Sequence, residues 1–375
     1  MGRPDQGWLA APSQTIWTQR VMASPGVLWT HEPPAESVSI TYLGTVFGDV
    51  ALTLEGIQLV ATDVNDGATL SLFTELPEVA SAAIDTASGI VYVADRLGHV
   101  DAWQLSDPRL GEDTAVSPLT SLWHIELDTV GTPVLLPLPG GGTVLLARGE
   151  VYALAGNGRL LWQQEIGGRS FAWTVSDDLL LLSTTGSSHA VWSTNGAEPF
   201  TQLASMNGYP LPVGEQIWLY AENGVYRLAP DGQSLELIYA LSTGFLDRGT
   251  IMALPDGGVL LAHADIFDQR LIAFYEDGRV RWERSYAGLL LERQRLLRTQ
   301  DAVYLTSFNS QGDVHVYQVD VETAVLTHIF TGGTRLPVLA DTWAAIVANN
   351  NLLLNIGGGN RLVLDMALAE TAVTP

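Results

Sequence analysis

Residues 151–165 read VYALAGNGRLLWQQE: an apolar run, an Asn-Gly turn, and a second run that carries a Trp and ends in polar residues. The pattern returns as RLIAFYEDGRVRWER at 270–284 and VYRLAPDGQSLELIY at 225–239. Weaker copies are QLVATDVNDGATLSLF at 58–73 and HAVWSTNGAEPF at 189–200. Asn-Gly and Asp-Gly supply the positive-φ residues that tight hairpins need, so each copy predicts two antiparallel strands. The turn glycines Gly67, Gly158, Gly196, Gly232 and Gly278 recur at about 36–46 residues, with one double gap. HVDAWQL at 99–105 and SLWHIEL at 121–127, separated by a long insert, fill that gap.

Two more short apolar runs precede each hairpin, for example PVLLPL and TVLLA at 133–138 and 143–147, or TIMAL and GVLLAHA at 250–254 and 258–264. The unit is therefore four strands, A to D, which is the period of a β-propeller blade. Complete sets are expected at 38–74, 80–127, 132–166, 171–203, 209–240, 250–286 and 293–330. AAIVA, LLLNI and RLVLD at 344–348, 352–356 and 361–365 make a final set without a D strand, while GVLWTHE at 26–32 is a D strand without a set. Joining them closes the ring and removes its open edge. The expectation is an all-β, eight-bladed β-propeller over 26–375, closed by the N-terminal strand, after an extension at 1–25; seven blades is the fallback. Leu-Trp-x-x-Glu recurs at 28–32, 122–126 and 161–165, with Arg281-Trp282-Glu283-Arg284 as a variant. A ring repeated at one place in the outer strand is expected to wedge between blades rather than to build a ligand cage.

VYALAGNGRLLWQQE and LIAFYEDGRVRWER resemble the repeat of PQQ-like β-propellers, a unit of the form Tyr-Ala-Leu-x-x-x-x-Gly-x-x-x-Trp. The resemblance covers most of the chain, most strongly in the third and sixth repeats. It implies either a quinoprotein dehydrogenase holding PQQ and Ca²⁺, or a non-catalytic scaffold similar to the outer-membrane assembly lipoprotein of the β-barrel insertion machinery. The dehydrogenases are much longer, and many set an adjacent Cys pair against the quinone. This chain has no Cys, and no calcium ligand set with a catalytic Asp is evident. The scaffold class is the expectation, with no cofactor and no metal, although the signal peptide and lipidated Cys of that lipoprotein are missing here.

Composition narrows the chemistry. Acidic residues outnumber basic ones 41 to 18, for a net charge of −23, which opposes binding to nucleic acid or an anionic membrane surface. All the basic residues are Arg, so Schiff-base and P-loop Lys chemistry are excluded along with every thiol reaction. No apolar run approaches the length of a membrane helix, and the start MGRPDQGWLAAPSQ has no signal-peptide pattern. The expectation is a monomer located in the cell envelope or outside the cell if a signal was trimmed, and in the cytoplasm otherwise.

No short motif marks a reaction. The seven His residues form no metal spacing, and neither His263-Ala264-Asp265 nor the Asp63–Gly67 loop completes a ligand set. No G-x-S-x-G elbow occurs. Six arginines fall within 279–298, among them Arg293 and Arg295, two apart on one A strand and so on one face. Arg248 and Arg335 fall in D–A connections on the same rim. The long D–A and B–C connections add apolar tips beside charge, with Phe245, Phe267 and Asp268 foremost. Together these residues predict a partner-binding rim for a protein; a carbohydrate or small-ligand site at the channel mouth is the alternative, and an enzyme with a site there is the third.

Overall fold

The computed structural model describes residues 27–31, 40–73, 76, 79–111, 118–138, 141–165, 170–174, 179–184, 187–192, 201–204, 208–221, 223–228, 234–241, 249–264, 269–286, 293–299, 301–308, 313–333, 343–347, 350–355 and 361–366. Strand β1 (Val27–His31) stands ahead of seven consecutive sets of four, each forming one antiparallel sheet. The first sheet is β2–β5 (Ile40–Val46, Val50–Glu55, Gln58–Asp63, Thr69–Phe73), the second β6–β9 (Ser81–Asp85, Ile90–Ala94, His99–Leu105, Leu119–Glu126). The third is β10–β13 (Val134–Pro137, Gly142–Ala147, Glu150–Ala155, Leu160–Glu165), the fourth β14–β17 (Ser170–Thr174, Leu179–Thr184, Ser187–Trp192, Thr201–Ala204). The fifth is β18–β21 (Gly208–Val213, Gln216–Ala221, Gly224–Leu228, Leu235–Ala240), the sixth β22–β25 (Thr250–Ala253, Val259–Ala264, Gln269–Phe274, Val280–Ser285). The seventh is β26–β29 (Arg293–Arg298, Val303–Phe308, Asp313–Asp320, Val325–Gly333). The last sheet is β30 (Trp343–Ile346), β31 (Leu352–Asn355), β32 (Arg361–Leu364) and, from the other end of the chain, β1. Trp29, Thr30 and His31 pair with Val363, Leu362 and Arg361, as the orphan strand predicts.

Burial changes along each sheet. The A strands of neighbouring sheets approach one another, which makes A the inner edge. B strands are apolar on both faces because both faces meet a neighbouring sheet: β11, β23 and β27 are buried throughout. D strands are the polar outer edge, as in β25 with its sequence VRWERS. Apolar clusters bridge successive sheets, the first to the second through Leu52, Val91 and Leu105, and the seventh to the eighth through Val316, Phe330 and Leu354. Ala51, Val64, Leu353 and Val363 join the eighth sheet to the first. There Arg361, 2% exposed, also reaches Glu55 at 2.9 Å.

Every C–D ladder carries one register shift, including the ladder between β32 and β1. In each, one D-strand residue is left over; Leu28, Leu122, Leu161 and Arg281 are four of them. Such a bulge bends the strand and re-aims the next side chain. An aromatic follows in six of the eight: Trp29, Trp123, Trp162, Tyr239, Trp282 and Phe330. Trp123 Nε1 donates to the Gly156 carbonyl of the third sheet at 2.8 Å, and Trp282 Nε1 to the Val321 carbonyl of the seventh at 2.6 Å. Tyr239 Oη donates to Glu283 of the sixth at 2.8 Å. The Leu-Trp motif is thus a bulge followed by a wedge into the next sheet. Gly158 fits both demands of the junction: its φ is +79°, and a Cβ there would lie 2.9 Å from the Trp123 ring.

Candidate functional site

Two ends follow from this winding. D–A and B–C connections lie at one, the upper rim; A–B and C–D turns lie at the other. Of the residues predicted to bind a partner, Phe245, Arg248, Phe267, Asp268 and Arg335 lie outside the described residues. Arg293 and Arg295 lie on β26, paired with Phe308 and Thr306 near its upper end. Arg295 is exposed, and its Nη1 donates to the Gln294 carbonyl at 3.0 Å.

The described upper rim has a feature that the sequence reading did not single out. The B–C turn of the second sheet presents Arg96 and Leu97, and Leu97 is 64% exposed. Asp95 shapes that turn: its carboxylate accepts the amides of Leu97 and His99 at 2.8 and 3.0 Å and faces the His99 ring at 2.6 Å. The following D–A connection carries Val130, 41% exposed. The two loops are tied together where the Gly131 amide donates to the Arg96 carbonyl at 2.9 Å. Arg148, from the B–C turn of the third sheet, lays its side chain over Gly131, whose φ is +139°. A Cβ at Gly131 would sit 3.2 Å from Arg148 Cγ, so the bare backbone admits the arginine stem. Val134 is exposed on the adjoining strand, and Ile57 occupies the matching turn of the first sheet. The result is an apolar patch with two guanidinium groups.

The described arginines divide by whether they meet a carboxylate. Arg109, Arg227, Arg270, Arg279, Arg281 and Arg361 each contact a carboxylate. Arg96 and Arg148 are exposed and have no carboxylate within ion-pair distance among the described residues. The hint in the sequence was small: an apolar residue between Arg96 and Gly98, at a turn position usually given to a polar one.

The opposite end holds two adjoining clefts. One, of about 560 Å³, lies between the sixth and seventh sheets and is walled by Leu254, Val303, Val319 and Val325 with Asp301 and Gln318. The other, about 610 Å³, shares Leu254, Pro255, Arg298 and Thr299 and reaches Ile346 and Asn350 on the eighth sheet. Arg281 contacts Asp256 of its own sheet at 3.0 Å and Glu322 of the next at 3.2 Å, and lies over the Tyr275 ring. At the same end the insert after β8 is hooked to the first sheet by Arg109, which holds Asp107 and Asp49 and donates to the Phe47 carbonyl.

Four histidines form two pairs, each across a C–D ladder. The rings of His99 and His124 are 5.7 Å apart, each with Nδ1 against a carboxylate, Asp95 and Asp101. The Asp95 contact, reinforced by the charges of Asp95, Glu126 and Asp101, raises the His99 pKa. His315 and His328 share the Thr331 hydroxyl at 3.0 and 2.7 Å. Burial, aided by repulsion from His328, lowers the His315 pKa. His263 is 1% exposed and lies 3.1 Å from the Tyr220 hydroxyl. The Asp63–Gly67 loop is a hairpin turn in which Asp63 accepts from Asn65. Among the described residues, no three His, Asp or Glu side chains converge to hold a metal ion.

Radially stacked four-stranded sheets with A strands inward define a β-propeller. Solved structures agree on that fold. BamB from Moraxella catarrhalis is 15% identical with a TM-score of 0.59, over 91% of this chain and 97% of that one. Sqt1 from Saccharomyces cerevisiae is 12% identical at 0.65, over 91% and 99%, and the C-terminal WD40 domain of Sif2 is 9% identical at 0.65, over 91% and 98%. No protein-family model matches the chain, and no curated protein matches its sequence.

Proposed function

We propose that this chain is a non-catalytic protein-binding scaffold of the cell envelope, a monomer that presents its upper rim to a partner protein. The eight sheets are taken as the blades of one ring over residues 26–375, with repeats of the PQQ-like kind. The observation that carries the reading is the patch of Leu97, Val130 and Val134 beside Arg96 and Arg148. Exposed apolar groups gathered beside arginine are what a protein interface presents, and Arg is enriched among residues that dominate binding energy. The test is a photo-cross-linker at Leu97 in the native host, with Leu72 on an outer strand as control. A discrete adduct at Leu97 alone supports the scaffold; identical or absent adducts at the two positions remove it.

A second reading is a small-ligand site at the opposite end, favoured by the two adjoining clefts, whose volumes are of the size that takes small molecules. Val325→Trp would fill the first cleft without entering the core. A ligand that raises the melting temperature of the wild type and not of V325W supports this reading.

A further inference from the structure

We propose that the rim patch receives an acidic, apolar segment of the partner protein, its carboxylates paired with Arg96 and Arg148 and its apolar side chains set on Leu97 and Val130. This rests on the scaffold reading and names the chemistry of its partner. The geometry is convergent: Gly131 bonds to the backbone of Arg96 and carries the stem of Arg148. The two arginines therefore stand on loops that meet beside Leu97 and Val130.

Charge gives the second argument. With 41 acidic residues against 18 arginines, two arginines without a carboxylate on loops that meet are free to pair with one from outside. Neither is committed to a direct ion pair, and a guanidinium is a planar donor suited to two-point pairing with a carboxylate. The body as a whole repels acidic segments, so such a segment is held only where unpaired arginine and exposed hydrocarbon coincide. A basic segment would be attracted to the body at large, with no preference for the two arginines.

The probe is a fluorescein-labelled peptide with a central Leu pair flanked by Glu on each side, and its counterpart with Lys for Glu, followed by anisotropy at physiological salt. The Glu peptide is expected to saturate on the wild type and to weaken at least tenfold on Arg96→Glu/Arg148→Glu. The Lys peptide is expected to gain on that variant. Arg159→Glu/Arg284→Glu, on other loops and strands, makes the same change in net charge and is expected to leave the Glu peptide unaffected. Melting temperatures of both variants identify any loss of fold; if the reversal unfolds the protein, Arg96→Gln/Arg148→Gln is read instead, with weakening again expected. Equal weakening by both charge reversals, no binding of the Glu peptide, or a Lys peptide preferring the wild type overturns the proposal. A Leu97 adduct that persists in the charge-reversed variant overturns the acidic partner while leaving the scaffold standing; failure of the adduct on the wild type overturns the scaffold itself.

Discussion

Trp123 and Trp282 each carry a single polar hydrogen into a junction between sheets, and each delivers it to a carbonyl of the next sheet. A part-buried carbonyl that loses its donor recovers only part of that bond from water. Trp282→Phe keeps most of the wedge and removes the donor, so it is expected to cost about 1 kcal/mol in urea unfolding. Gly158→Ala meets both a left-handed backbone and the Trp123 ring, and is expected to destabilise more than an alanine in an open turn would. His99 and His315 are shifted in opposite senses. His99 has its pKa raised in the fold, so its contribution is present below the ordinary value of about 6.5 and is lost as pH rises through the folded value. His315 has its pKa lowered, so the fold loses stability as pH falls through that ordinary value. Proton NMR titration should place the His99 midpoint above the free imidazole value and the His315 midpoint below it. His99→Gln should remove the gain on acidification, and His315→Gln the loss.

At the scale of elements, the strands were legible because each physical demand wrote its own signature. B strands, packed on both faces, are unbroken apolar runs such as GVLLAHA; C–D hairpins announce themselves by Asn-Gly and Asp-Gly. The wedge was legible from Trp123, Trp162 and Trp282. The bulge ahead of it was not, because a left-over residue is defined by its partner strand, and Leu122 differs from a paired leucine only in what stands opposite. Finding the same shift between Val27 and Trp29 makes β1 an outer strand of the same build as the others. Deleting residues 1–33 removes it, exposes β32 as an open edge and uncovers the apolar group around Val27. The truncation is expected to lower the melting temperature by several degrees and to associate on gel filtration; an unchanged melting temperature would contradict the closure.

The whole molecule shows why the site was harder to read than the fold. Fold information is repeated eight times, so errors in one copy are corrected by the others. A binding patch is written once, on turns whose only common rule is polarity, and its members Arg96, Val130 and Arg148 are brought together from two sheets by Gly131. The −23 charge was visible at once, but not that two arginines at one rim stay outside its ion pairs.

Pairing the first strand with the last also sets a schedule. A chain made from its N-terminus must hold β1 unpaired until β32 has been synthesised, after the other seven sheets have been made. The contact spans almost the full sequence, so its loop-closure entropy is met late and earns nothing on the way. Until then the nascent protein has two unsatisfied ends, a loose apolar strand and a three-stranded sheet awaiting its fourth. That interval is when it is most exposed to mispairing with another copy. A circular permutant that begins at residue 34 and places residues 1–33 directly after the present C-terminus makes the same final contact local. It is expected to refold faster and with less aggregation than the natural order, while reaching the same native melting temperature.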